Sequence, residues 1–121
     1  MDWIDENVAV GSLLDAEEVV ILRKKDVDLI IDAWLCFTPH PTIEPIVENV
    51  MRFANLLGVL SEHGARTLIH CVWGVDRTPF LAMVYYAHKN ECSYQDAYHY
   101  VELKHRSTKI HLGWVELSPP L

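Results

Sequence analysis

The stretch RTLIHCVWGVDRTPF, residues 66–80, passes from an apolar, branched segment through a glycine-containing turn into residues suited to a helix. RTLIHC reads as a buried parallel strand, and Thr78 to about Lys89 as a helix with Pro79 in its first turn, where the missing N–H costs little. Between them Val72, Trp73, Gly74, Val75 and Asp76 form a loop pivoting on Gly74. Such a loop can turn successive backbone N–H groups inward at the positive end of a helix, which makes a nest for an anion. Phosphate is the natural guest, because Arg77 adds a planar fork for two of its oxygens that Lys could not match. The same positive field favours the thiolate of Cys71 over the thiol and makes it a nucleophile. Thr78 is placed to donate its hydroxyl to that sulfur and help it leave a phosphocysteine. With three Cys available, the combination of Cys, Gly and Arg followed by Ser or Thr arises by chance on the order of once in a thousand such chains, so it is read as functional.

Composition bounds the alternatives. At 121 residues, half of them hydrophobic, the chain is expected to fold as one domain over residues 1–121 around a single core. A formal charge of −7 argues against nucleic acid and anionic membranes as partners, since both need clustered Lys and Arg. Cys36, Cys71 and Cys92 are odd in number and irregular in spacing, which does not suit a disulfide framework. With no basic-then-apolar leader pattern, a reducing cytoplasm is the expected location. Oligomeric state is not legible.

The rest of the chain alternates strands and helices. NVAVG (7–11) reads as a short strand, and Asp15 as the N-cap of a helix AEEVVILRKK with acids first and bases last. VDLIID (27–32) reads as a buried parallel strand. The prolines of CFTPHPT (36–42) require a loop, Thr42 is a candidate cap, and Ile43 to about Glu62 has the apolar spacing of a long helix closed near Gly64. A further helix, capped by Ser93, runs to about His105. This order predicts an α/β fold with a small, mostly parallel central sheet flanked by helices. Ligands in such sheets sit beyond the carboxyl ends of the strands, which places Asp32 and Cys71 at one rim.

HCVWGVDRT (70–78) resembles the H-C-x-x-G-x-x-R-[S/T] signature of the cysteine-dependent tyrosine and dual-specificity phosphatases. NVAVGSLLDA resembles the opening strand of the dual-specificity group, and YVELKHRSTKIHLGW its closing helix and following turn. The resemblance implies a trimmed version of the tyrosine phosphatase fold. It makes Cys71 the nucleophile, Arg77 the phosphate clamp, Thr78 the hydroxyl assisting the second step and His70 a hydrogen-bonding support behind the loop. Loop residues 72–77 would hold the phosphate of a phosphorylated protein or a small phosphomonoester, with no metal and no cofactor. The chain departs from the family where an acidic loop normally supplies the general acid: CFTPHPTIE contains no Asp. Asp76, beside Arg77, and Asp32, at the end of the neighbouring strand, are the two candidates, and the reading leans slightly to Asp76. Glu44 and His40 are outsiders.

Two other functions stay open at this point. Asp76 prompts a phosphoinositide or inositol phosphate phosphatase, against which the loop offers Val72, Trp73 and Val75 where Lys would be wanted. A non-catalytic phosphoprotein-binding module would keep the nest and lack the acid. His99, His105 and His111 are read as helix-surface and turn residues, since none is paired closely enough with Cys or Glu for a zinc site. Trp73 either walls the pocket or packs inward, and Cys36 is a candidate redox neighbour of Cys71.

Overall fold

The structure, a computed structural model, describes residues 1–38 and 43–121. Among the described residues, β1 (Asp2–Trp3), β2 (Val8–Gly11), β3 (Leu29–Asp32) and β4 (Thr67–His70) form one sheet in the order β1-β2-β4-β3. β1 is antiparallel to β2, and the other neighbours are parallel. The α/β architecture and the mostly parallel sheet agree with the expectation, and β1 is an addition to it.

Strand alternation divides the core in two. Val8, Val10 and Ile69 face a large apolar cluster under α3 (Val47–Glu62), α4 (Arg77–Asn90) and α5 (Tyr94–Lys104). Ala9 and Leu68 face the other way, toward Leu22 on a much thinner layer built from α1 (Leu13–Glu17) and α2 (Val19–Lys24). α4 is buried almost all round, from Thr78 to Tyr85 and at Ala87, because the sheet, α3 and α5 enclose it. A short helix α6 (Leu112–Glu116) brings Trp114 against Phe37 and Phe80, with ring centroids 4.7 and 5.8 Å away. This cluster seals the site end of the core.

Several expectations are corrected. The helix expected over 16–25 is two short helices separated at Glu18, whose ψ of 67° is not helical. The cap is Ser12, not Asp15: Ser12 Oγ accepts from the Asp15 N–H, and Asp15 Oδ2 accepts from the Ser12 N–H, a reciprocal capping box. β3 is parallel as expected but not buried; it ends the sheet, and Leu29 and Ile30 are 40% and 47% exposed. α3 starts at Val47, not Ile43, because Thr38 and Glu44 exchange hydrogen bonds and Phe37 bridges Pro45, holding residues 43–46 extended. Thr42 and His40 lie outside the described residues.

Candidate active site

The parallel register sets the site. Gly11 and Asp32 are both paired with His70, so the carboxyl ends of β2, β4 and β3 finish level, and Cys71 is the next residue out. Cys71, His70, Asp32, Arg77, Trp34, Leu13 and Val72 line a cleft of about 110 Å³. Cys71 is 4% exposed, with its sulfur at the base of the 71–77 loop, where the Gly74 N–H donates to Sγ at 3.2 Å.

The loop's carbonyl groups are fixed from outside. The Val72 carbonyl accepts from the Leu13 N–H at 3.1 Å, and the Val75 carbonyl from the Lys109 N–H at 2.7 Å. The Gly74 carbonyl meets His105 Nε2 at 2.6 Å. In a trans peptide the C=O and the following N–H point in opposite directions. With these three carbonyls held outward, the amides of Trp73, Val75 and Asp76 turn to the concave side of the loop, where an anion would sit. Gly74 is indispensable to this path: its φ is +71°, and a Cβ there would lie 2.7 Å from the Gly11 carbonyl oxygen.

Arg77 begins α4 with its guanidinium carbon 4.3 Å from the centre of the Trp34 ring, a cation–π contact that holds the fork over the cleft. Arg77 Nε, Thr78 Oγ1 and His70 Nδ1 are buried and have no hydrogen-bond partner among the described residues. Of these residues, His70 and Arg77 line the same cleft as Cys71, where a polar guest would supply the missing partners. His70 lines the cleft and Thr78 is buried in the first turn of α4; neither the Thr78 hydroxyl nor His70 Nδ1 makes a hydrogen bond among the described residues, so Thr78 does not bond to Cys71 Sγ in this arrangement.

The two acid candidates separate. Asp32 lines the Cys71 cleft, and its Oδ1 accepts from the Trp34 N–H at 3.0 Å. Asp76 is the N-cap of α4: its Oδ1 accepts from the Arg77 N–H at 2.7 Å, and its Oδ2 lies 3.3 Å from His111 Nε2. It lines a different groove, shared with Glu44, His111 and Trp114. Asp76 thus tethers the start of the helix and faces away from the sulfur.

Sequence reading missed His105. It is buried, not a surface residue: Nδ1 lies 2.5 Å from Asp2 Oδ2 on β1, while Nε2 meets the loop carbonyl of Gly74. No local signal could reveal a contact between residues 103 positions apart. Cys36 is buried in the large core cluster as a free thiol, pushed up to about 12 by burial and then by the negative charge of Asp32. Trp73 projects outward and is 79% exposed.

The site is thus a loop between a parallel strand and a helix, with a thiol at its base and a guanidinium at its end. The chain belongs to the family of the dual specificity phosphatase catalytic domain, whose model matches residues 12–114. No curated protein sequence matches it. The fold is similar to that of a leucine rich repeat and phosphatase domain containing protein from Entamoeba histolytica, with a TM-score of 0.84 and 15% identity over 95% of this chain and 85% of that one. It is also similar to the human tyrosine phosphatase-like serine/threonine/tyrosine-interacting protein, with a TM-score of 0.82 and 17% identity over 96% and 91% of the two chains. The Cydia pomonella PTP-2 phosphatase gives a TM-score of 0.78 and 21% identity over 96% and 86%. Family membership supports phosphatase activity on phosphorylated substrates.

Proposed function

We propose that residues 1–121 act as one catalytic domain, a cysteine-dependent phosphatase of the cytoplasm. Its preferred substrate is phosphotyrosine, with phosphoserine and phosphothreonine admitted. The observation that carries this reading is the outward fixing of the Val72, Gly74 and Val75 carbonyls around Cys71, which leaves a ring of inward amides in front of the sulfur.

In the first step the Cys71 thiolate attacks phosphorus, an S–P bond forms and the bond to the leaving oxygen breaks. The loop amides and Arg77 stabilise the equatorial oxygens, which gain charge in the transition state. Asp32 gives its proton to the leaving oxygen, a role supported by its place in the cleft wall, whereas Asp76 faces another groove. In the second step water attacks the phosphocysteine, Asp32 takes the water's proton, and phosphate leaves as the thiolate is restored. Thr78, released from any other hydrogen bond, rotates its hydroxyl to the departing sulfur. His70, in the cleft lining beside Cys71, supports the loop where it leaves β4.

A phosphoinositide substrate ranks lower because, among the described residues, Arg77 is the one Lys or Arg lining the cleft, too little for several phosphates. The binding-module reading is kept by one specific observation: the human relative of similar fold is itself described as phosphatase-like and as an interacting protein. Turnover of p-nitrophenyl phosphate separates the two. The wild-type chain hydrolyses it and Cys71→Ser does not; equal rates near background favour the binding module. Asp32→Asn slows phosphoserine peptides far more than p-nitrophenyl phosphate, whose leaving group needs no proton, and Asp76→Asn lacks that asymmetry.

A further inference from the structure

The mouth of the cleft is apolar. Leu13, Leu14, Trp34, Leu35, Val72 and Trp73 are all exposed, with Leu14 at 71% and Trp73 at 79%. Three of them line the cleft itself, and each of the others is the chain neighbour of one that does. They are also tied together: the Leu13 N–H is bonded to the Val72 carbonyl, and Trp34 holds Arg77 by cation–π contact. The rim is therefore one surface, continuous with the phosphate site and drawn from α1, the 33–36 turn and the 71–77 loop. A contiguous exposed apolar patch of this kind marks a binding surface.

We infer that this rim is a specificity surface that selects a phosphorylated peptide segment whose phosphoresidue is flanked by large apolar side chains. The inference rests on the phosphate-site reading above and deepens it. Charge decides the occupant. Among the described residues lining the cleft, the single guanidinium, that of Arg77, is matched by Asp32, and the chain as a whole carries −7, so acidic flanks gain no partner from that lining and meet a repulsive field. Anionic lipid surfaces are disfavoured on the same ground. A second copy would bring two equally acidic chains together across their own clefts. An apolar flank meets none of these penalties and buries the rim's exposed surface.

Binding is measured on Cys71→Ser, so that the result does not depend on turnover. The probes are phosphotyrosine peptides flanked by Leu and Phe, the same peptides flanked by Glu, the unphosphorylated apolar peptide, and vesicles of phosphatidylcholine with phosphatidic acid. The apolar phosphopeptide is expected to bind about tenfold or more tighter than the acidic one, the change that burial of one large apolar side chain carries. Introducing Leu14→Ser and Leu35→Ser brings the two within about threefold. Equal affinity, preference for the acidic peptide, or equal binding of the unphosphorylated peptide overturns the inference. So does tighter binding to the vesicles, or sedimentation showing that the rim is closed by a second copy. Parallel turnover of p-nitrophenyl phosphate by the wild-type chain reports on the catalytic reading separately: activity without peptide preference rejects the rim alone, and peptide preference without activity rejects catalysis alone.

Discussion

His105 joins β1 to the 71–77 loop: one ring nitrogen lies 2.5 Å from Asp2 Oδ2, and the other meets the Gly74 carbonyl at 2.6 Å. The ring bridges the two and holds the loop from beneath. The Gly74–Val75 peptide thereby turns its N–H forward, and a residue outside the signature shapes the site within it.

Replacing His105 with Ala strands a buried loop carbonyl. The expected cost is about 1–3 kcal/mol of stability, read as a lower Tm and denaturation midpoint. Phosphatase turnover falls as well, and Asp2→Asn, which leaves the ring on Gly74, loses less of both. A His105→Ala chain with unchanged kcat/KM would show that the loop holds its shape without this clamp.

Gly74→Ala tests the loop's path directly. The left-handed backbone costs a side chain about 1–2 kcal/mol, and the new Cβ would press on the Gly11 backbone 2.7 Å away, which must shift. Displacing the cradle by about an ångström is expected to cut kcat/KM roughly a hundredfold while the far core is untouched. Far-ultraviolet circular dichroism together with turnover distinguishes this local loss from unfolding.

The thiols differ in access and environment. Cys36 is sealed in the core and pushed up to about 12, first by burial and then by Asp32. Cys71 opens on the cleft with an amide donating to its sulfur. Iodoacetamide at neutral pH is expected to modify Cys71 in the folded chain and to reach Cys36 only after denaturation, as peptide mass mapping would record. Rapid labelling of Cys36 in the native state would contradict the burial.

Far from the site, Asp5 accepts from the Tyr85 hydroxyl at 2.6 Å, from Lys89 Nζ at 2.9 Å and from the backbone N–H groups of Asn7 and Val8. Burial works to raise its carboxyl, but these hydrogen bonds and the Lys89 charge outweigh it and hold the group below its ordinary 3.8. Its contribution is present above that value and is lost as pH falls through the lower folded one. Lys89 is raised above 10.5, burial opposing and Asp5 and Tyr85 prevailing, so its contribution is present below 10.5 and fades at more alkaline pH. Asp5→Asn is expected to lower stability by about 1.5–3 kcal/mol at neutral pH, with the difference from wild type shrinking below pH 3.8, measured by denaturation across pH.

The sequence was most legible where chemistry and local structure coincide. Cys71, Gly74 and Arg77 announce the loop, and the apolar strand before and the helix after give it a frame. Asp32 could be placed at the same rim because parallel strands end level, as its pairing with His70 shows. Which of Asp32 and Asp76 lines the Cys71 cleft is beyond sequence, since both lie near the loop and only the placement of the side chains separates them. The break at Glu18 was hidden by an apolar pattern that suits one helix or two, although Ser12 followed by Asp15 three residues on was a readable cap. The burial of β3 was misjudged because an apolar run looks the same whether it lies inside a sheet or ends it.

That position of β3 bears on how the protein behaves in concentrated solution. Its outer row of peptide groups, beside Leu29 and Ile30, is a template on which a strand from another molecule could grow. Asp26, Asp28 and Asp32 punctuate the same segment, and their mutual repulsion between molecules acts as a gatekeeper against stacking. Colloidal stability is thereby tied to ionic strength: added salt shortens the reach of those charges and brings the bare edges within range of one another.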